Sequence, residues 1–435
     1  MRFWHLLFGT VFIFLAAQVS IGVPGSIANL GRWALLFGTA GVAGWMLFMN
    51  IGCRRYPMHA RRVTTAIVVV LVIFLITVVV GFAIRISFLK WVLLSTQTFL
   101  FVYAANRLLS LQEWHRLLEC TFLLLAGVLA VIFIAGLTGI SLLPTRWPVY
   151  LDGRIAVVGN PNSVGMIAIV GGVMALWAQR WPFFSHGWKQ VVPVATVLIA
   201  LVVLLWTGSR TSLFALAVGA GIWAWGTNRL SWGLGIGVFA TALGLLGMLD
   251  ARSLDFASII VDRLQSDGFT DSRDRVWEES VRNWRYYPWF GYGYGVTEAY
   301  EGEGFLQAIG SVRDGSGYFG VLESVGVVGL SMLVALYAVV AATLWRTLTM
   351  LKQPEEQPRR MLTIAGASLF FSLVVHAGGE PWLLGPGSFM HLIFWLSLGM
   401  CVAGLVARRP APEGSPEESD EPHSSRQPHG RRYGR

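Results

Sequence analysis

Long apolar runs recur along almost the whole chain, and they constrain its fold more than any other feature. Runs of about 18 or more apolar residues have the length of a helix that crosses a bilayer. Because a bilayer offers no water to backbone groups, a spanning segment must be a helix or part of a closed barrel. The strict alternation of barrel strands is absent from these runs. With 55% hydrophobic and only 13% charged residues, the sequence predicts an all-α polytopic membrane protein.

We predict about twelve transmembrane helices in a bundle over residues 1–406, followed by a disordered cytoplasmic tail at 407–435. The predicted spans are 3–21, 28–51, 63–84, 89–108, 117–139, 160–179, 189–206, 211–227, 231–249, 317–346, 361–377 and 386–406. The first is interpreted as a retained helix, because a second apolar span follows it in place of a cleavage site. The tail is rich in Pro, Ser, Glu and Arg and has no apolar period.

Basic residues follow alternate spans, and this pattern orients the predicted bundle. They are Arg54, Arg55, Arg61, Arg62, Arg107, Arg116, Arg180, Lys189, Arg229, Arg346, Lys352, Arg359 and Arg360. The positive-inside rule puts these loops and both termini in the cytoplasm, which in a bacterium is the orientation of an inner-membrane protein. The net charge of +9 thus reflects topology, and no nucleic-acid partner is expected. The loops 140–159, 207–210, 250–316 and 378–385 are then on the outer face.

The largest outer loop, 250–316, contains a polar and aromatic stretch at 270–295. Its spacing predicts an amphipathic helix on the membrane face, with Arg273 and Trp277 on the buried side. Tyr292 lies in the glycine-rich turn that follows. Tyrosine and tryptophan faces in such a place suit sugar rings, whereas the alternative is a lid that only shields the bundle.

Arg210 lies in the motif TGSRT at 207–211, a connection too short to be a loop. The guanidinium is therefore held at membrane depth, where a central arginine costs roughly 2.5–3.5 kcal/mol on insertion scales. An arginine beside the Ser209 hydroxyl suits a phosphate or pyrophosphate. An interfacial arginine that extends its charge to water is the alternative.

Further polar residues complete the candidate site on the outer face. Asn160 and Asn162, in the motif GNPN, supply donors and acceptors, or else an ordinary helix N-cap followed by proline. Asp314, His376 and Glu380 are the candidate bases, with a structural role as the alternative for His376. The candidate catalytic residues are Arg210, Arg273 and Asp314, and the candidate substrate-binding residues are Asn160, Asn162, Ser209, Trp277, Tyr292, Tyr318, His376 and Glu380.

These motifs, in this order, resemble the O-antigen ligase and polymerase superfamily of bacterial surface-polysaccharide assembly. The matching segments are GNPN before a span, TGSRT between two spans, SRDRVW followed by PWFGYGYG, and SGYFGVLESVGVVGL. The later EPWLLGPGS is similar to the exopolysaccharide-polymerase branch. The resemblance covers roughly residues 155–400.

The resemblance implies a metal-independent glycosyltransferase with a GT-C-like helical bundle and no cofactor. The implied substrates are glycans on undecaprenyl pyrophosphate, which are joined to a glycan or lipid acceptor in lipopolysaccharide or exopolysaccharide biosynthesis. Arg210 and Arg273 would neutralise the leaving pyrophosphate. Membrane lipids, a flippase and chain-length regulators are the other expected partners.

Gly315 is a departure from the family pattern, because the ligase pattern has a histidine at this position. The sequence therefore favours a polymerase of repeat units over a lipid A core ligase, with Asp314 as a substitute base. A transporter of a small anion such as bicarbonate is the alternative, and a non-enzymatic assembly scaffold is a third. Polar residues cluster on one face, whereas a carrier would show polar or broken spans at mid-membrane.

Overall fold

Helices form nearly all of the structure, as the apolar runs predicted. The computed structural model describes residues 2–19, 25–51, 58–141, 148–151, 153–181, 187–227, 271–296, 317–350 and 356–406. Side chains are not described for the helix-end residues 25–29, 58–59, 187–188, 271–274, 350 and 406. The predicted span 231–249, the tail 407–435, Asp314 and Gly315 lie outside the described residues.

Every other predicted span corresponds to a helix. The helices are α1 (Phe3–Gln18), α2 (Gly25–Phe48), α3 (Met58–Val80), α4 (Ile84–Thr98), α5 (Ala105–Leu108), α6 (Leu111–Thr138), α7 (Pro161–Ala178), α8 (Val191–Thr207), α9 (Arg210–Gly226), α10 (Asp271–Trp284), α11 (Gly317–Met350), α12 (Gln357–Ala377) and α13 (Phe389–Val406). A π-helix, Phe99–Ala104, joins α4 to α5, and short 3-10 helices lie at Gly187–Gln190 and Pro381–Leu384. Two short strands, β1 (Tyr150–Leu151) and β2 (Arg154–Ile155), pair antiparallel.

Within the described residues, six helical stretches are long and apolar enough to cross a membrane. They are Ala60–Val80, Ile84–Leu108, Leu111–Thr138, Pro161–Ala178, Gly317–Thr349 and Gln357–Ala377, and α1, α8 and α13 provide shorter apolar helices. The prediction of an all-α polytopic membrane protein is confirmed, and the number twelve stays a prediction.

Small residues bring the central helices close together. The Ser372 hydroxyl of α12 donates to the Ala215 carbonyl of α9 across 2.6 Å. On the other side of α12, a Cβ added at Gly366 would lie 2.8 Å from the Cys401 nitrogen of α13. Glycine and serine permit such backbone contact between membrane helices, where packing rather than burial from water drives association. These contacts join α9, α12 and α13 into one core.

Helix α11 is broken near its start, although the sequence predicted one continuous span there. Gly326 has φ 66° and ψ −172°, a non-helical conformation inside the helix. The break frees the carbonyls of Glu323 and Ser324, which accept hydrogen bonds from the nitrogens of Tyr292 and Gly293 at 3.1 and 2.8 Å. The segment after α10 is thereby inserted into the break.

Hydrogen bonds donated by α11 to the inserted segment complete this contact. The nitrogens of Val327 and Val328, which follow the break, donate to the carbonyls of Pro288 and Trp289 at 2.9 and 3.2 Å. An added Cβ at Gly326 would overlap the carbonyl group of Trp289, so the site requires glycine for space as well as for its positive φ. The backbone groups lost by α11 at the break are therefore satisfied by the segment from Pro288 to Gly293.

Candidate functional site

Four segments that carry the sequence motifs meet at one end of the bundle, and we call this end the motif face. It consists of residues 154–162, 207–212, 285–296 and 376–388. The second segment is a tight turn: α8 ends at Thr207 and α9 begins at Arg210. Gly208 caps α8 in the left-handed conformation with φ 59°, and Ser209 is the N-cap residue of α9. The predicted short connection is confirmed, and it places the half-buried Arg210 in the first turn of α9.

Arg154 approaches the same turn from strand β2, and the sequence analysis did not identify it. Its Nε donates to the Thr207 carbonyl, and its Nη2 donates to Asn162 Oδ1 at 3.2 Å. One guanidinium thus joins the first motif to the second. The signal that would have found it is the one used for Arg210, a cation on the predicted outer side.

Asn160 and Asn162 have different surroundings although they lie two residues apart. Asn160 is the N-cap of α7, and its Oδ1 accepts from the nitrogen and the hydroxyl of Ser163 at 2.8 and 3.2 Å. Pro161 occupies the first helical position. The capping alternative therefore describes Asn160, whereas Asn162 faces the cation Arg154.

His376 lies at the end of α12 in a buried network of side chains. Its Nε2 is 3.2 Å from the Ser212 hydroxyl oxygen, which is 2.7 Å from that of Ser209. On the other side of the ring, Trp382 Nε1 donates to Nδ1 at 3.0 Å. Three of the candidate elements, the TGSRT turn, the end of α12 and the EPWLL segment, therefore share one hydrogen-bond network.

The start of α11 packs against the same end of α12. The Tyr318 hydroxyl donates to the Val374 carbonyl at 2.6 Å. An added Cβ at Gly317 would lie 2.7 Å from the carbonyl oxygen of Ala377 and 3.0 Å from that of Glu380. Glu380 itself is 5% exposed. Of the predicted residues, Tyr318, His376 and Glu380 are thus neighbours, and Asp314 precedes this contact in the chain.

Helix α10 packs on α11, which confirms the helix predicted in the largest outer loop. Trp277 stacks on Phe319 with ring centroids 5.2 Å apart, and Asn283 Nδ2 donates to Glu323 Oε1 at 3.0 Å. Among the side chains of α10 that the structure describes, the most buried are polar, Ser280 and Asn283, because this face meets a helix and its carboxylate. Trp277, which was predicted on the buried side, is half-buried. Arg273 belongs to α10, with its side chain outside the described part.

The aromatic turn after α10 is docked rather than open. Tyr292 is 9% exposed, packs edge-on against Tyr287 at 4.9 Å, and accepts through its carbonyl from the Phe82 nitrogen at 3.0 Å. The most exposed aromatic rings in this segment are instead those of Tyr286 and Trp289, at 67% and 66%, followed by Tyr287 and Phe290 at 39% and 37%. The open aromatic surface of this segment is therefore supplied by neighbours of Tyr292.

Buried cationic and amide side chains of the N-terminal helices donate hydrogen bonds to backbone carbonyls of the motif face. Lys90 Nζ donates to the Gly295 carbonyl at 2.7 Å, and Arg32 Nη1 donates to the Gly387 carbonyl. Gln97 donates to the Pro386 carbonyl. The sequence analysis assigned no role to these spans, although a lysine or arginine within an apolar run is itself a signal of function.

Tyr294 closes an apolar cleft between the N-terminal and C-terminal helices. The cleft is lined by Phe74, Leu94, Leu333, Phe394 and other apolar side chains. Tyr294 is 1% exposed and stacks on Phe74 at 5.1 Å. Burial raises the pKa of the Tyr294 phenol above its ordinary value of 10.0, because the charged phenolate is disfavoured away from water.

Comparison with known proteins shows which family this chain is similar to. A family model described as O-antigen ligase matches residues 195–334, a segment that includes Arg210 and Arg273 and ends before His376. An O-antigen ligase of Pseudomonas aeruginosa strain PAO1 is 28% identical over 316 residues, which cover 69% of this chain and 68% of that protein. The motifs predicted a resemblance to the O-antigen ligase family, and both comparisons confirm it.

Proposed function

We propose that this protein is a glycosyltransferase on the outer face of the bacterial inner membrane. It transfers a glycan from undecaprenyl pyrophosphate to a glycan or lipid acceptor. The relative named O-antigen ligase supports this class of reaction. Neither comparison supports the alternative of an anion transporter.

The grouping of Arg154, Arg210 and Ser209 around one turn is the observation that carries the proposal. Arg154 is held by Asn162 and by the carbonyl of Thr207, which precedes Arg210 by three residues. Arg210 lies in the first turn of α9, where backbone N–H groups and the helix dipole also favour an anion. Two guanidinium groups and a hydroxyl at a helix start match the charge and the acceptor oxygens of a pyrophosphate.

The reaction needs charge stabilisation more than a nucleophile on the protein. An acceptor hydroxyl oxygen forms a bond to the anomeric carbon of the donor sugar. The bond from that carbon to the pyrophosphate oxygen breaks, and the electron pair leaves with the phosphate. Arg210 and Arg273 stabilise the charge that develops on this leaving group, an effect worth about 10²–10³ in rate for a single preorganised donor.

The acceptor proton requires a base, and we propose Asp314 for this role. It is a carboxylate that precedes Gly317 by three residues, and Gly317 packs on the turn that contains Glu380. Because Gly315 replaces the family histidine, we favour a polymerase that extends a glycan. Ligation to a lipid acceptor is the second candidate, and the curated ligase relative supports it.

The proposed orientation has consequences for partners. If the motif face is outside and both termini are cytoplasmic, a flippase must deliver the carrier-linked donor across the membrane, since the donor head group is too polar to cross unaided. Chain-length regulators are further partners of a polymerase. The carrier itself is a membrane lipid, so it reaches the motif face from within the bilayer.

The test is transfer by the full-length protein in lipid vesicles supplied with an undecaprenyl-pyrophosphate-linked oligosaccharide. Arg210→Ala and Arg273→Ala are each expected to lower the rate at least about 100-fold at equal protein level. The matched control is Arg61→Ala. Arg61 is an exposed arginine near the start of α3, at the end of the helix that is far from the motif face. Unchanged transfer in both variants would refute the proposal.

The same assay separates the two candidate reactions. A ladder of products from the donor alone indicates a polymerase, whereas a single product that requires added lipid A core indicates a ligase. Asp314→Asn is expected to abolish either reaction if Asp314 is the base. Full activity of this variant would remove Asp314 from the mechanism.

A further inference from the structure

A chain of buried hydrogen bonds leads from the 3-10 helix Pro381–Leu384 to the start of α9. Trp382 Nε1 is 3.0 Å from His376 Nδ1, and His376 Nε2 is 3.2 Å from Ser212 Oγ. Ser212 Oγ is 2.7 Å from Ser209 Oγ. None of the four side chains is more than 4% exposed. The chain ends at the residue before Arg210.

The first bond of the chain determines where the protons lie in the others. An indole N–H is a donor only, so His376 Nδ1 accepts through its lone pair. A neutral imidazole with an unprotonated Nδ1 carries its proton on Nε2. An imidazolium would oppose two N–H groups at 3.0 Å, between Nδ1 and Trp382 Nε1. His376 is therefore a neutral ring that donates to Ser212.

The same donor-to-acceptor direction extends through the hydroxyls of Ser212 and Ser209. Because Ser212 Oγ accepts from His376, its own O–H is available for Ser209 Oγ at 2.7 Å. Helix α7 closes the other side, since an added Cβ at Gly165 would lie 2.7 Å from Ser212 Oγ. In the part of the chain that the structure describes, Ser212 is the one partner of the Ser209 hydroxyl. With the Ser212 O–H directed at Ser209 Oγ, the Ser209 O–H is left to donate to a ligand.

We propose that His376 is a positioning residue that makes Ser209 a hydrogen-bond donor to the pyrophosphate held by Arg210. This inference rests on the proposed function and deepens it. The role differs from that of a base, because the lone pair of Nδ1 is already used and Nε2 carries the proton. Trp382 determines this tautomer, and Ser212 transmits it to the motif face.

The tautomer is measured directly by ¹⁵N NMR of the full-length protein in lipid vesicles, with labelled histidine. The His376 signal is assigned by its loss in His376→Gln. The expected spectrum shows a protonated Nε2 and an unprotonated Nδ1, and Trp382→Phe is expected to give a mixture of the two tautomers. A protonated Nδ1 in the unaltered protein, whether as the other tautomer or as an imidazolium, overturns the proposal.

Kinetics with the undecaprenyl-pyrophosphate-linked oligosaccharide distinguish a donor from a base. Glutamine carries an amide N–H about where Nε2 lies, whereas leucine has no donor. His376→Leu is expected to raise KM about tenfold, and His376→Gln to stay within about threefold of the unaltered protein. Equal loss of activity in both variants overturns the proposal, because glutamine cannot replace a base.

Two further variants show which idea has failed. Ser209→Ala is expected to raise KM as His376→Leu does, and the double variant should show no additional rise because both act through one donor. An additive effect of the two contradicts the relay. If Arg210→Ala leaves transfer unchanged, the proposed function fails, while the NMR spectrum still decides the tautomer of His376.

Discussion

Asn283 donates through Nδ2 to Glu323 Oε1 across 3.0 Å, with both side chains buried. This bond connects α10 to α11 three residues before the break at Gly326. It lies on the same side of the break as the carbonyls of Glu323 and Ser324, which hold the aromatic turn. The polar loop is therefore attached to α11 both by side chains and by backbone hydrogen bonds, and both kinds of contact lie at Glu323 and Ser324.

Asn283→Asp is expected to release α10. The change keeps the shape of the side chain but replaces a donor with a carboxylate, so two buried acids face each other. We expect a loss of about 1–3 kcal/mol in the free energy of unfolding, measured by thermal unfolding in detergent. Arg282→Ala, an exposed neighbour, is the control. Equal melting temperatures for Asn283→Asp and the unaltered protein would contradict the expectation.

Gly326→Ala is expected to expel the aromatic turn from the break in α11. Alanine at φ 66° costs about 1–3 kcal/mol in backbone strain, and its Cβ would overlap the Trp289 carbonyl group. Trypsin should then cut after Arg285 faster than in the unaltered protein. Gly127→Ala is the control, since a Cβ there meets no atom within 4 Å. Equal rates of cleavage in both variants would show that the turn tolerates a Cβ.

Arg154→Lys is expected to lower transfer nearly as much as Arg154→Ala, by about tenfold or more. A lysine has one ammonium and cannot serve the Thr207 carbonyl and Asn162 from two sides as the guanidinium does. Transfer in lipid vesicles is the measurement, with Arg61→Lys as the control. A double-mutant cycle with Asn162→Ala isolates the Arg154–Asn162 contact. Full activity of Arg154→Lys would mean that only the charge matters.

Tyr294→Phe is expected to reduce the loss of stability at alkaline pH. Burial holds the folded pKa of Tyr294 above the ordinary value of 10.0, so the folded state keeps the proton that the unfolded state releases. The contribution is therefore complete below pH 10 and declines as pH rises above that value. Unfolding followed from pH 8 to about 11 should show a shallower decline for Tyr294→Phe. The stack on Phe74 is retained in this variant.

Neutral pH provides the control for this variant. Among the described residues the Tyr294 hydroxyl is buried without a hydrogen-bond partner. Its removal is then expected to leave stability unchanged or slightly higher at pH 7, because no bond is lost. A clear loss of stability at pH 7 would indicate that the hydroxyl has a partner.

The elements that were predicted correctly depend on local sequence alone. An apolar run of sufficient length must be a helix in a bilayer, so the spans follow from hydropathy. The tight Thr207–Arg210 turn follows from two adjacent runs with almost nothing between them. The α10 helix follows from its spacing in a polar stretch.

The features that were missed depend on contacts between distant segments. Arg154 donates a hydrogen bond to the Thr207 carbonyl, 53 residues away, and Lys90 donates one to the Gly295 carbonyl, 205 residues away. Their roles therefore cannot be inferred from the neighbouring sequence. The break in α11 cannot be predicted from the periodicity of apolar residues, because Gly326 lies within an apolar run. The segment that fills the break explains why the helix stops there, because Gly291 of this segment and Gly326 of α11 leave room for the two backbones to meet.

The inserted segment also sets an order of assembly during synthesis. The carbonyls of Pro288 and Trp289 find their partners on Val327 and Val328, which the ribosome makes about 40 residues later. Until α11 has entered the membrane, this part of the loop lacks these bonds and must remain in water. The motif face is therefore completed late, after α11 and then α12 have arrived, and a chain that stops before α11 would carry Arg210 without the rest of its site.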